Sequence, residues 1–496
     1  MKILTDLKMR VAVVSGDGLL ESGLLTVLRN VLSIAKDMSM IEDIVPCDLG
    51  TSWRPDKAAF FSEGDPSWMY PDWMTVTPNR QLIGLDLNLL AKQLMTIRSC
   101  IASLDDSDQG EVSELETLIC PLATLFEAHF DDWLQIHQPD QVFALNMTLS
   151  DAVPATLGLH KACERYFANK AGNVIFWEHD LFDSCSIQED GNRVYPRKPH
   201  ILTPVPQQNA YTKWIVVSEQ LKQETDSYPT WLQAKILLNA LPEIEAGVPA
   251  RAREFSVQRG FQAGRPIMLN PVRLFPIKGV EHAVRLTGAL KTVALQLGRK
   301  PPYLLLFGNT REAPEYTQKL RNLIAELELF EDVIFLDGVP LSSAKRQGVW
   351  RLDEIDLLRL CRESGGAVVF TPSAPNVESV GLGPALAALA SVPSIISSYN
   401  AFQTIYGNDF FSLCLDTEKD IPELLARDIL TAMEAAHRND PGMRANLDRN
   451  KTLVRERFNP EVWREYWREL FAEFQGRLNQ THWQPTQKEL AGSASI

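Results

Sequence analysis

Short apolar runs alternate with helical patterns along the first half of the chain. Apolar residues recur at helical spacing from Leu24 to Ala35, and a second helical pattern covers 152–168. The strand-like runs beside these patterns are 9–16, 141–147, 173–180 and 214–219. Short strands separated by amphipathic helices are typical of βαβ units, so the sequence predicts a parallel sheet.

A second series of the same kind follows an interruption. The stretch 242–266 is rich in Pro, Gly, Arg and Glu, and its part 246–265 is interpreted as a linker. The strand-like runs of the second series are 266–273, 302–309, 332–339, 366–373 and 393–398, with helical patterns at 313–329 and 352–362. The two series predict an α/β protein with two Rossmann-like, doubly wound domains that face a cleft. The first domain is expected to cover 1–245 and the second 266–455.

The last helical pattern carries its apolar residues on one face. These residues are Trp463, Trp467, Leu470, Phe471 and Phe474. The opposite face has mixed charge, so we expect this helix, over 456–478, to pack on a domain surface rather than on a membrane. Residues 479–496 are polar and small and are expected to form a disordered tail.

The charge balance excludes one class of partner. The 496 residues include 49 Lys and Arg against 63 Asp and Glu, a net charge of −14 at pH 7. Nucleic-acid binding depends on Lys and Arg that neutralise phosphates, so this excess of acid argues against it. Asp6, Lys8 and Arg10 interrupt any signal-peptide core, and the seven cysteines are scattered. The most apolar window, 383–396, contains two prolines and is too short to span a membrane. We therefore expect a cytoplasmic protein with reduced thiols and no transmembrane segment.

Candidate ligand-binding groups in the second half follow its strands, where open α/β sheets bind ligands. Arg273 and Lys278 lie in a turn before a helix at Gly279. Two cations at a helix N-terminus suit a diphosphate, although solvated loop residues would show the same pattern. Glu378 precedes a predicted helix start at Ser-Val-Gly-Leu. It is either a helix cap or an acceptor for sugar hydroxyls. In the second case the backbone N–H groups of the helix start would face a phosphate.

The first half offers weaker signals. Gly16 and Gly18 follow the first strand without GxGxxG spacing, which leaves a glycine turn that a ligand could approach. His179 ends another strand, as a site residue or as a structural histidine. No GxxxxGK[ST], HExxH or GxSxG motif occurs, and no metal site is predicted.

Four aromatic residues lie among prolines within 50–82, namely Trp53, Trp68, Tyr70 and Trp73. Aromatic faces stack on sugars, so this stretch is a candidate lip for an acceptor. An ordinary surface insertion with packed aromatic residues fits the same pattern equally well.

At these residues the chain resembles the retaining glycosyltransferases of family 4, which have the GT-B fold, over roughly residues 9–475. The matching positions in the second half are Arg273, Lys278, Gly279, Gly308, Gly338, Val339, Pro372, Ser373 and Glu378 to Leu382. Those in the first half are Gly16, Gly18, Pro139, Asp140, His179 and Ser218.

The resemblance implies transfer of a sugar from a nucleotide-diphosphate-sugar donor to a sugar, small-molecule, glycan or lipid acceptor. The anomeric configuration would be retained, with no metal or other cofactor. Arg273 and Lys278 would stabilise the departing diphosphate, Glu378 would hold donor-sugar hydroxyls and His179 would lie near the sugar. The further donor-binding positions are Gly16, Gly18, Gly308, Val339, Ser379, Val380, Gly381, Leu382 and Leu386. The last helix would cross back onto the N-terminal domain.

Three positions depart from the family pattern. Leu386 stands where the family has a second glutamate that binds the nucleotide ribose, Ser391 replaces a glycine, and Gln403 stands where a Glu is usual. Leucine cannot accept a hydrogen bond, so either the ribose is held otherwise or donor binding is weakened or lost. The alternatives are therefore a non-catalytic binding or regulatory partner with a GT-B-like fold, or another GT-B enzyme such as an epimerase or a phosphorylase.

Overall fold

The computed structural model describes most of the chain. The described residues are 7–16, 23–50, 53–54, 66–77, 86–103, 108–148, 152–184, 188–189, 192–193, 195–373, 375 and 378–481. Gly18, much of the candidate acceptor lip and 482–496 of the expected disordered tail lie outside these residues. The prediction of a disordered tail is wrong for 479–481, which belong to the last helix.

The first half forms a parallel sheet, with seven strands among the described residues in the order β3-β2-β1-β4-β5-β8-β9. The strands of this half are β1 Val11–Ser15, β2 Val45–Asp48, β3 Met74–Val76, β4 Gln141–Leu145, β5 Asn173–Glu178, β6 Gln188–Glu189, β7 Asn192–Arg193, β8 Thr212–Val216 and β9 Lys235–Ile236. Strands β6 and β7 form a separate antiparallel pair. Every residue of β1, β4 and β5 is buried, because helices cover both faces of the sheet.

The helices of this half are α1 Gly23–Asp37, α2 Leu87–Ser103, α3 Gln109–His137, α4 Val153–Phe167 and α5 Glu219–Thr225. The apolar stripe from Leu24 to Ala35 is the buried face of α1, as the periodicity predicts. Asp108 caps the N-terminus of helix α3, and its carboxylate accepts hydrogen bonds from the backbone N–H groups of Gly110 and Glu111. The sequence analysis did not predict α2 and α3.

The second half forms another parallel sheet, with the order β12-β11-β10-β15-β16-β17 over the described chain. Its strands are β10 Ile267–Asn270, β11 Tyr303–Leu306, β12 Val333–Phe335, β13 Ala344–Arg346, β14 Val349–Arg351, β15 Val368–Phe370, β16 Ser394–Ser397 and β17 Leu413–Leu415. Strands β13 and β14 form a hairpin after β12. The prediction of two Rossmann-like domains is confirmed.

The interpretation of 246–265 as a linker misses a helix. The helices of the second half are α6 Ala250–Gln258, α7 Val280–Gln296, α8 Pro314–Glu326, α9 Glu354–Ser364, α10 Gly383–Ala390, α11 Ala401–Tyr406, α12 Glu423–His437 and α13 Pro441–Arg457. In α6, Ala252 and Phe255 are buried in the core of the second half, and Arg251 pairs with Asp356 of α9. This segment packs as part of the domain because its apolar residues, although few, share one face of the helix.

The last helix, α14 (Pro460–Thr481), crosses back onto the first half, as expected. The indole N–H of Trp467 donates to the carbonyl of Val31 in α1 at 3.1 Å, and that of Trp463 to Leu238 at 2.7 Å. Lys213 and Lys235 pair with Glu473 and Glu469 across the same interface. Of the helices that the structure describes, none has the length and apolar character that a membrane span requires.

Candidate functional site

A loop after β10 carries the two cations that the sequence singles out. A 3-10 turn at Pro276–Lys278 leads to Gly279, whose φ of 59° favours glycine. A Cβ at this position would lie 2.1 Å from the carbonyl oxygen of Thr371, so only glycine lets the two loops meet. The close approach joins the Arg273–Lys278 loop to the carboxyl end of β15.

The structure brings Lys278 together with Glu378. The ammonium nitrogen of Lys278 lies 2.7 Å from Glu378 Oε1, and the two side chains are 25% and 11% exposed. Their loops follow β10 and β15, which are neighbouring parallel strands, so both carboxyl ends meet at one edge of the sheet. A cation and a carboxylate at this edge can bind a phosphate and a hydroxyl side by side.

Arg273 has a partner that the sequence analysis missed. Its guanidinium is paired with the carboxylate of Glu312, a side chain only 2% exposed. Glu312 lies in the loop between β11 and α8, at the same edge of the sheet. The signal that could have identified it is its place at a strand end, where the sequence analysis singled out only Gly308.

Gly308 packs against the backbone of the Arg273 loop. A Cβ there would lie 2.3 Å from the backbone nitrogen of Leu274, so the absence of a side chain permits the contact. The structure therefore places Gly308 against the cationic loop rather than in the open cleft.

The loop 379–382 is supported by two tyrosines. Tyr406 donates to the carbonyl of Gly381 at 2.6 Å, and a Cβ on Gly381, which has a φ of +69°, would lie 2.6 Å from the Tyr399 hydroxyl. Val380 is buried in the core. Helix α10 begins at Gly383, later than the predicted start at Ser379, because Gly381 is in the left-handed region and cannot continue a helix.

His179 and Ser379 meet across the cleft. The Ser379 hydroxyl donates to the backbone carbonyl of His179 at 3.3 Å, which joins the carboxyl edges of the two sheets. The imidazole is buried, and neither ring nitrogen has a well-formed hydrogen bond within the described part of the chain. Burial lowers the pKa of His179 to about 3, against a weaker opposing effect of nearby Asn239. The ring is therefore neutral near pH 7.

The glycine turn after β1 lies beside buried side chains of the expected acceptor lip. A Cβ on Gly16 would lie 3.2 Å from Trp53 and 3.5 Å from the guanidinium of Arg54. Trp53 is fully buried against Phe126 and Phe130, and Tyr70 is 2% exposed. These two aromatic residues belong to the core, so their part of the acceptor-lip hypothesis is wrong.

Three predicted donor-binding residues line one cavity between the two halves, namely Val339, Leu382 and Leu386. Leu386 is 4% exposed. Arg29 of α1 closes the cavity from the first half and donates to the carbonyl of Leu341 at 2.9 Å. The cavity lies next to the cationic loop, since Pro271 also lines it.

Comparisons with solved structures identify the architecture. Sucrose-phosphate synthase from Thermosynechococcus elongatus is similar with a TM-score of 0.53 at 14% identity, covering 94% of this chain and 100% of that chain. Anabaena HepE in complex with UDP-glucose is similar with a TM-score of 0.53 at 15% identity, covering 94% and 99%. The N-terminal domain of Candida albicans trehalose-6-phosphate phosphatase is similar with a TM-score of 0.55 at 10% identity, covering 95% and 98%.

The chain has the GT-B fold. Neither a protein-family model nor the sequence of a curated protein matches it. At these identities the likeness concerns the fold. In this GT-B fold, Arg273, Lys278 and Glu378 lie at the carboxyl edge of the second sheet, and the contact between Ser379 and His179 closes the cleft.

Proposed function

We propose that the protein transfers a sugar from a nucleotide-diphosphate-sugar donor to a hydroxyl acceptor, with retention of the anomeric configuration. The observation that carries this proposal is the pairing of Lys278 with Glu378, beside Arg273, across the cleft from His179. Cations, a carboxylate and a neutral imidazole at one cleft suit a ligand that joins phosphates to a sugar.

Each charged group has a role in the proposed reaction. The bond from the anomeric carbon to the diphosphate oxygen breaks, and a bond to the acceptor oxygen forms. The acceptor proton leaves with the diphosphate. Arg273 and Lys278 stabilise the negative charge that develops on the leaving group. This electrostatic stabilisation is stronger in a cleft from which water is partly excluded. Glu378 accepts hydrogen bonds from hydroxyls of the donor sugar.

His179 acts in this proposal as a neutral group. Because burial lowers its pKa to about 3, the imidazole carries no charge near pH 7 and adds nothing to phosphate binding. Its unused ring nitrogens can instead form hydrogen bonds with the sugar or the acceptor.

The solved structures with the same fold support the donor class. Anabaena HepE was determined in complex with UDP-glucose, and sucrose-phosphate synthase is named for the sugar phosphate that it forms. We also propose that the reaction needs no metal, because two protein cations supply positive charge where the diphosphate leaves.

A thermal-shift screen with UDP-, GDP- and ADP-sugars tests the proposal, since a ligand that binds the native state raises the unfolding midpoint. With the donor identified, Lys278→Ala and Arg273→Ala should each lower kcat by about 10²–10³. Lys319→Ala, an exposed lysine of α8, is the matched control and should leave kcat unchanged. Full turnover in both cleft variants, or no nucleotide sugar that binds, would contradict the proposal.

A further inference from the structure

The cavity between the two halves has apolar walls and a few polar groups. Its volume is about 60 Å³. Phe307, Val339 and Leu386 contribute apolar surface, and Arg29, Asn30 and Glu354 contribute polar atoms. Arg29 and Asn30 already form hydrogen bonds, to Leu341 and Ala240 respectively. Glu354 is the polar residue of this cavity whose bonding is incomplete.

Glu354 is the first residue of α9, and its Oε1 is buried with no hydrogen-bond partner among the residues that the structure describes. It is not needed as a cap, because Asp353 caps α9 and accepts from the backbone N–H of Asp356 at 2.9 Å. Burial raises the pKa of Glu354 to about 7, although Arg29 across the cleft opposes the shift. A buried carboxylate oxygen without a partner is costly, so a ligand hydroxyl that donates a hydrogen bond to Oε1 would be favoured.

The position of the cavity relates it to the donor. Pro271 lies on its wall, close in sequence to Arg273, and Leu382 lies on its wall, just after Glu378. A donor whose diphosphate lies at Arg273 and Lys278, and whose sugar lies at Glu378, extends its nucleoside away from the sugar. The cavity adjoins both loops through Pro271 and Leu382, and Val339 and Leu386 provide the apolar surface that a base requires.

We propose that Glu354 accepts hydrogen bonds from the ribose hydroxyls of the donor nucleotide, the role that Leu386 cannot perform. This inference rests on the proposed function. Leu386 of α10 and Glu354 of α9 line the same cavity, so the carboxylate reaches the ribose subsite from a neighbouring helix.

A nucleoside enters this subsite only when the cleft widens. The cavity is smaller than the ~150 Å³ cavity that holds one benzene molecule. Among the described residues, hydrogen bonds cross the cleft from Arg29 to Leu341, from Leu341 to Met69 and from Ser379 to His179, and these bonds must break. Glu354 remains with the second half as α1 withdraws, because α9 packs in the core of that half.

Calorimetric titrations with nucleoside diphosphates and their 2′,3′-dideoxy analogues test the proposal. UDP, GDP and ADP are titrated into the wild-type chain, and the tightest binder is compared with its dideoxy analogue. We expect the ribonucleotide to bind about 10- to 100-fold more tightly, the effect of hydrogen bonds to a charged acceptor. In Glu354→Ala this ratio should fall to near one, because only the ribonucleotide loses affinity.

Two further variants make the result specific. Glu354→Gln keeps an uncharged acceptor and should give an intermediate ratio. Glu363→Ala removes an exposed carboxylate at the other end of α9 and should keep the wild-type ratio. Thermal unfolding of each variant confirms that it is folded.

The outcomes separate the two proposals. Absence of binding by all three diphosphates to the wild-type chain would overturn the proposed function, and this inference with it. Binding with a ribose-to-dideoxy ratio that Glu354→Ala leaves unchanged would overturn the role of Glu354 alone.

Discussion

Each cation of the cleft has a carboxylate partner, and the two pairs differ in burial. Glu312, which pairs with Arg273, is 2% exposed, whereas Glu378, which pairs with Lys278, is 11% exposed. An incoming diphosphate therefore competes with Glu378 for Lys278, while the buried Glu312 remains with Arg273. We infer that Glu312 fixes the direction of the Arg273 guanidinium, since a half-buried arginine without it would sample many rotamers.

Because two of its histidines are buried, the protein is expected to lose stability in mild acid. Burial lowers the pKa of His160 to about 4 and that of His179 to about 3, from 6.5. Between pH 6.5 and about 4 the unfolded state binds more protons, so the free energy of unfolding falls as the pH falls. Each histidine contributes up to about 1.4 kcal/mol per pH unit.

The substitution His160→Phe tests this effect, because the ring of His160 stacks on Phe176 at 4.4 Å and an aromatic replacement keeps that contact. Urea unfolding at pH 6.5 and pH 5 should show a loss of stability about 1–2 kcal/mol smaller in the variant than in the wild type. Equal losses in both proteins would show that His160 does not titrate as we expect.

A single methyl group added at Gly279 is expected to lower the free energy of unfolding strongly. In Gly279→Ala the added Cβ meets the carbonyl oxygen of Thr371 and the residue retains a φ near 59°. Clash and backbone strain together should cost about 2–5 kcal/mol in unfolding free energy. Gly260→Ala is the control, because Gly260 has a φ of +69° with no atom within 4 Å of its Cβ position. It should lose only about 1 kcal/mol, the strain alone. Equal losses would rule out a role for the close approach.

Among the elements, α14 makes contacts that join the two ends of the chain. Trp467 is fully buried, and its ring lies 5.5 Å from that of Phe143 in β4. Trp467→Ala should lower the free energy of unfolding by about 3–5 kcal/mol. Trp231, 86% exposed, offers the control, and Trp231→Ala should change stability by less than about 0.5 kcal/mol. Chemical unfolding followed by circular dichroism compares the two, and a small effect at Trp467 would mean that α14 contributes little to stability.

Strands were easier to predict than the helices that cover them. The buried strands of a parallel sheet are continuous apolar runs. Eight of the nine predicted runs contain a strand, and the ninth, 214–219, overlaps β8. The sheet strands β2, β3, β9 and β17 were not identified, because they are short, and β2 also includes Pro46 and Asp48. Helices α2 and α3 were missed because their exposed faces carry apolar residues such as Met95 and Leu118, which weakens the amphipathic pattern.

Charge is arranged locally in this protein. The chain has a net charge of −14, but Arg273 and Lys278 lie together at one sheet edge beside the N-terminus of α7. The acidic total therefore does not prevent binding of a diphosphate, because field strength at a cleft depends on the nearest charges and on helix dipoles.

Removal of divalent cations should leave transfer unchanged. In our proposal Arg273 and Lys278 balance the charge of the departing diphosphate, so no metal is required there. Turnover of the identified donor in excess EDTA should agree within about twofold with turnover in Mg²⁺ or Mn²⁺. A rate that falls in EDTA and returns when Mg²⁺ is added would contradict metal independence.

Much of the site followed from local sequence. Arg273, Lys278 and Glu378 each lie just after a predicted strand, and parallel strands bring such positions to one edge. Glu312 and Glu354 could not be found in this way, because their significance depends on which side chain they face. Glu312 faces Arg273, 39 residues earlier in the chain, and Glu354 faces a cavity whose opposite wall is α1.

Apolar periodicity was sufficient to establish the two parallel sheets and the docking of the last helix, because strand and helix periods are properties of neighbouring residues. The pairing of each cation with its carboxylate, the burial of Trp53 and Tyr70, and the common cavity of Leu386 and Glu354 depended on folding. These are contacts between residues far apart in the chain, and burial and electrostatic partners are set by packing in three dimensions.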